Sequence, residues 1–101
     1  MQRLYVLVRT DLGRSSSSVQ AGHTVAQFMI DHPTCEWQNS YLIYLKVRSL
    51  EELTLWKSKI QSAAPERLAM SNFSEPDIDN ELTAIAVYGC DASMFKELRL
   101  L

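Results

Sequence analysis

The order of segments along the 101-residue chain predicts a small layered α/β domain. Three observations carry that expectation. Runs of β-branched and aromatic residues alternate with stretches of helical periodicity, and two pairs with capping-box spacing, Ser17/Gln20 and Ser49/Glu52, stand ahead of those stretches. Hydrophobic residues make up 47% of the chain and charged residues 22%, which suits one soluble core and excludes disordered or fibrous classes. At this length one domain is expected, residues 1–101, with any site built on the scaffold itself.

The elements follow in order. Leu4-Tyr-Val-Leu-Val8 is short, apolar and flanked by arginines, as a strand buried on both faces would be. Asp11-Leu-Gly-Arg14 and a serine tetrad make a polar strand-to-helix loop. The Ser17/Gln20 box then opens a helix whose Val19, Gly22, Ala26, Met29 and Ile30 recur at three- and four-residue spacing, predicting the buried stripe, and Pro33 ends it. After a loop through Asn39 and Ser40, Tyr41–Leu45 reads as a second strand. The Ser49/Glu52 box starts a second helix, with Leu53, Trp56 and Ile60 on its buried face and a stop before Pro65. Leu68–Phe73 and Leu82–Tyr88 are further strands, joined by the acidic segment 75–81. Asp91 caps a short terminal helix whose Met94, Phe95, Leu98 and Leu101 share a face. Helices between the first three strands make those three parallel, with the last strand reversed.

Ten Lys and Arg against twelve Asp and Glu give a net charge of −2, which excludes a general nucleic-acid or anionic-membrane binder on bulk charge. The distribution says more. Arg3, Arg9 and Arg14 outweigh Asp11 in the first thirty residues, whereas residues 75–81 carry Glu75, Asp77, Asp79 and Glu81. The two cysteines, Cys35 and Cys90, have neither zinc-ligand spacing nor the density of a secreted disulfide scaffold, and the apolar run at Leu4–Val8 is too short for a signal peptide or a membrane span. The expectation is a cytoplasmic protein with reduced thiols and no membrane partner.

Candidate chemistry concentrates in three places. The Thr10–Ser18 loop leaves the carboxyl end of a strand and enters a helix N-terminus, whose free N–H groups favour an anion; a capped connection without function accounts for the same residues. No phosphate-loop lysine or GxGxxG pattern is present, so no nucleotide cofactor is expected. Gln20, His23 and Gln27 form a polar stripe on that helix, and His23 is a group of the kind used in acid–base catalysis, although a lone helical histidine is commonly a packed or solvated residue. His32 suits the negative end of the helix dipole and is assigned no function. The acids at 75, 77, 79 and 81 would lie about 6–7 Å apart on one side of an extended chain. They lack the glycine and distal glutamate of a calcium loop, so an acidic turn, or an acid that orients water in a shared pocket, is the expected meaning, and no metal is assigned. Thr83 offers a hydroxyl nearby, or simply β propensity.

Val6-Leu-Val-Arg9-Thr10-Asp11-Leu12, followed by a short loop and Gln20-Ala-Gly-His23 on a helix, resembles the opening of the type 2 peptidyl-tRNA hydrolase family, and Leu82-Thr83-Ala-Ile-Ala-Val87 is similar to that family's last strand. The shorter acidic turn at 75–81 looks most like divergent phage- and bacterial-type members. The resemblance implies a three-layer α/β/α domain with a mixed four-stranded sheet, often dimeric, that hydrolyses the ester between a peptide and the 3′ end of tRNA without a cofactor. It places His23, Asp77, Thr83 and Asp11 in the catalytic cluster, and Arg9, Arg14, Ser16, Ser17, Gln20, Glu75 and Asn80 at the substrate, the acceptor end of peptidyl-tRNA. Ser16 stands nearest the family's lysine, and this departure motivates an alternative: a binding module of the same fold, for tRNA or a protein, without the chemistry.

Overall fold

Strand β1, Leu4–Arg9, is buried along its whole length, as an uninterrupted apolar run flanked by neighbours on both sides should be. The structure, a computed structural model, describes residues 3–63 and 68–101. Helix α1 covers Arg14–Asp31, strand β2 Leu42–Val47 and helix α2 Leu50–Ala63; strands β3, Ala69–Glu75, and β4, Glu81–Tyr88, follow, and the two-residue strand β5, Arg99–Leu100, comes last. They form one five-stranded mixed sheet in the order β3-β4-β1-β2-β5. Strands β1 and β2 pair in parallel, from Leu4 opposite Leu42 to Arg9 opposite Val47, while β4 runs antiparallel to both β1 and β3. The first three strands therefore share one direction and β4 is reversed, as the helical crossovers predict.

Alternation along β1 divides the core. Tyr5 and Leu7 face a cluster with Leu45, Val47, Ile85 and Val87 that receives Leu53, Trp56 and Ile60 of α2. Leu4, Val6 and Val8 face the opposite way, with Ala84, Ala86 and Trp37, and receive Ala21 and Phe28 of α1. The expected buried face of α2 is the observed one, and Ser49 accepts the Glu52 N–H at 3.1 Å as an N-cap should. The Glu52 carboxylate turns instead to the Arg48 Nε at 3.2 Å, so only half of the capping box forms. The expected stop at Pro65 lies outside the described residues.

Three expectations are corrected. Helix α1 begins at Arg14 with Gly13 as its N-cap, not at Ser17. Gly13 sits at φ +94°, a conformation that glycine alone adopts freely, and starts the helix four residues early. Ser17 is thereby inside the first turns, and its hydroxyl contacts the Arg9 and Gly13 carbonyls at 2.6 and 2.8 Å. The buried face of α1 is also the other one. Ser17, Gln20, Ala21, Thr24 and Phe28 are inside, while Val19, Met29 and Ile30 are 55%, 44% and 71% exposed. Among the described residues no buried side-chain nitrogen or oxygen lacks a hydrogen bond, which is why a polar helix face can be buried here at all. Finally, the sheet has five strands, not four. Asp91 caps as expected, accepting the Ser93 N–H at 3.1 Å, but only a 3-10 turn over Ala92–Phe95 follows, and the chain then enters β5 along β2. Phe95 still reaches the α2-side core, against Tyr5 and Trp56. No helix among the described residues is long and apolar enough to cross a membrane.

Candidate functional site

At the carboxyl end of β1 the chain brings together segments that are more than sixty residues apart. Arg9, only 5% exposed, donates Nε and Nη2 to the two carboxylate oxygens of Asp11, at 3.0 and 2.7 Å. Its Nη1 donates to Glu81 Oε1 at 2.6 Å and to the Leu82 carbonyl at 3.0 Å. A buried guanidinium is tolerable only when its donors find partners, and β1's own loop and the start of β4 take four of the five here. The bidentate pair holds the Asp11 carboxyl below its ordinary range, against the opposing effect of its partial burial. The same bonds raise Arg9, so its charge is permanent at any working pH.

One turn further along the helix, α1 is tied to β4. The Thr83 hydroxyl, fully buried, contacts Gln20 Oε1 at 2.8 Å and the Phe73 carbonyl at 3.2 Å. Thr24 closes the stripe by bonding the Gln20 carbonyl at 2.9 Å. His23, exposed three residues after Gln20 on the helix, stacks on Phe73 of β3 with ring centroids 4.6 Å apart and planes 7° from parallel. The imidazole thus rests on an aromatic floor, on an exposed residue that makes no side-chain hydrogen bond among the described residues.

The acidic segment does not run extended. Pro76–Ile78 form a 3-10 turn and Asp79 and Asn80 both take left-handed φ values of 59°, so the four acids do not line one side of a strand as the spacing predicts. Glu75 and Glu81 are opposite each other in the β3–β4 ladder, and Glu81 is drawn to Arg9. Asp77 and Asn80 are exposed, and among the described residues their side chains make no hydrogen bond. No group of three or more His, Cys, Asp or Glu among the described residues is arranged to hold a metal ion.

The structure therefore brings together two hydrogen-bonded groups, Arg9–Asp11–Ser17 and Gln20–Thr83, adjacent through the Leu82–Thr83 backbone, with His23 beside them on Phe73, and leaves Asp77, Asn80, Arg14 and Ser16 around them without a side-chain bond to either. Arg14 is exposed at the first residue of α1, and Ser16 is half-buried two residues on. Two residues were missed as site members. Glu81 was legible only as one acid among four, because its pairing with Arg9 depends on the β1–β4 register. Phe73 reads as an ordinary strand residue until His23 is found above it. Among curated protein sequences and protein-family models, nothing matches this chain.

Proposed function

We propose that the chain hydrolyses the ester between a peptide, or an N-blocked aminoacyl group, and the 3′ end of tRNA. One observation carries the reading: the segments of the family resemblance, within 6–23 and 75–87, meet through Arg9–Glu81 and Gln20–Thr83, with His23 stacked on Phe73 beside them. In this reading His23 takes the proton from the attacking water, being the solvent-facing titratable group held on a rigid element. Asp77 shares that role from the neighbouring turn. Asp11 is kept ionised by Arg9 and accepts hydrogen bonds without exchanging protons near neutrality. Thr83 and Gln20 are buried, so they position α1 and its histidine without touching the ester. The α1 N-terminus, with Arg14 and Ser16, and the turn residues Glu75 and Asn80 complete the substrate side, while Ser17, buried and bonded to the Arg9 and Gly13 carbonyls, holds that helix end in place. Apolar clusters on opposite faces of the sheet support the three-layer α/β/α arrangement that belongs to this fold. A homodimer and a cytoplasmic location are part of the same proposal.

A second reading, the binding module, has its own observation. Arg9 is buried and its charge is met by Asp11 and Glu81, and Ser16 stands where the family has lysine, so neither position offers a cation to an oxyanion. The two readings separate on release of peptide from a short N-acyl-aminoacyl-tRNA at low salt, with His23→Ala and Asp77→Asn alongside. Hydrolysis is expected, reduced at least ~10-fold in His23→Ala. A folded wild-type protein that binds the substrate saturably and releases nothing overturns the enzyme reading in favour of the module.

A further inference from the structure

Strands β1 and β2 are parallel neighbours, yet the chain leaving β1 turns toward α1 on one face and the chain leaving β2 turns toward α2 on the other. Divergence of that kind opens a crevice beyond the carboxyl ends of the two strands, the position where ligands bind in open α/β sheets. A cavity of about 340 Å³ lies there, lined by Thr10, Lys46, Arg48, Glu52 and the segment Glu97–Arg99. Its volume falls within the range of small-molecule sites.

The charges of its lining are unusual. Lys46 of β2 and Arg99 of β5 are direct cross-strand partners, so two cations face each other across a strand of only two residues. Like charges directly opposite destabilise a sheet, and the cost falls on the shortest element of the fold. Arg48 is paired with Glu52, whereas among the described residues neither Lys46 nor Arg99 forms an ion pair. Glu97 is the remaining carboxylate at the rim. The β5 segment is nonetheless held in place: Leu98 N–H bonds the Phe95 carbonyl at 2.9 Å, and Leu101 N–H bonds the Tyr44 carbonyl at 3.0 Å.

We propose that this crevice binds a phosphate group, free or carried on a small molecule, between Lys46 and Arg99. A doubly charged anion satisfies both cations at once and removes the repulsion between them. Arg99 supplies a planar donor pair suited to phosphate oxygens, and Lys46 a point charge. A single negative charge gains less, because its Coulomb attraction to each cation is half that of a dianion at the same distance. The site adjoins the Arg9–His23 region at Thr10, but none of its charged residues belongs to that region and it does not depend on the ester-hydrolysis reading.

Titration with inorganic pyrophosphate, followed by thermal unfolding and by backbone amide shifts, tests it. A saturable rise in Tm is expected, with shift changes centred on residues 10, 46–49 and 97–99. Lys46→Gln and Arg99→Gln should each weaken binding about 10-fold, while Glu97→Gln tightens it about 2- to 5-fold. Neither cation variant should lower Tm in the absence of anion, since each removes a like-charge contact. Arg3→Gln, the same charge change at the other end of β1, should leave binding unchanged. A nucleoside 5′-monophosphate beside its unphosphorylated nucleoside separates the two sources: binding of the nucleotide alone assigns a carried phosphate, and binding of pyrophosphate alone a free one. No saturable response to either phosphate, or equal weakening in Arg3→Gln and Arg99→Gln, overturns the proposal.

Discussion

Replacing Thr83 by valine tests whether the hydrogen bond between α1 and β4 holds the helix on its polar face. Valine keeps the shape and β propensity of threonine, so the change removes one hydroxyl from a fully buried position. Gln20 Oε1, which takes that hydroxyl at 2.8 Å, is then left without its donor inside the protein. A neutral buried hydrogen bond contributes about 1 kcal/mol, and stranding a buried acceptor costs about 1–3 kcal/mol, so Thr83→Val should destabilise by about 1–3 kcal/mol. For a domain of this size that lowers Tm by roughly 5–15 °C. A double-mutant cycle with Gln20→Leu, measured by urea unfolding, isolates the pair. The second replacement should cost much less in the Thr83→Val background than alone, with a coupling of about 1–2 kcal/mol. A Thr83→Val cost below ~0.5 kcal/mol with no coupling would refute the Gln20–Thr83 bond as an anchor of α1's polar face.

Other outcomes follow from single residues. Gly13→Ala meets no atom within 4 Å of the added Cβ, so its whole cost comes from φ +94° at the helix N-cap, about 1–3 kcal/mol; equal stability of the two proteins in urea would contradict that. Asp11 has a folded pKa below its ordinary 3.8, so its contribution is present above that pH and disappears as pH falls through the lower folded value. The Tm gap between wild type and Asp11→Asn should accordingly close as pH falls below the ordinary 3.8, and it should be modest, no more than ~1 kcal/mol, because the carboxylate is partly exposed. A gap independent of pH would remove the ion pair as its cause. Burial pushes the Cys90 thiol up to about 11, so at pH 8 its alkylation by iodoacetamide should run about 100-fold slower than in the urea-unfolded protein; similar rates would mean that the thiol is not shielded.

Much of this architecture can be read from the amino-acid order. The apolar run at Leu4–Val8 can only be a central strand, because no solvent-facing residue interrupts it, and β1 is central and buried. Ser49 and the Leu53-Trp56-Ile60 stripe are local signals of a helix start and its inner face, and α2 has both. The parallel direction of the first three strands follows from the crossovers between them. The site region was legible in part, through Arg9, Asp11, Gln20, His23 and Thr83, all in short segments with distinctive polar residues.

The face that α1 buries was decided by tertiary structure. Two stripes lie on opposite sides of that helix, and hydropathy favours the one with Val19, Met29 and Ile30. The polar stripe is buried because its hydroxyls and amide find partners that exist only when the chain is folded: the Arg9 and Gly13 carbonyls for Ser17, and Thr83 for Gln20. The fifth strand and the Arg9–Glu81 bond are likewise products of register, since β5 needs the open edge of β2 and Glu81 needs β4 beside β1. Sequence alone determined that β1 to β4 and both long helices exist, and the directions of those four strands, because propensity, capping and periodicity act within a few residues. Which polar groups are satisfied, and so which may be buried, depends on contacts across seventy residues, and only the folded sheet supplies them.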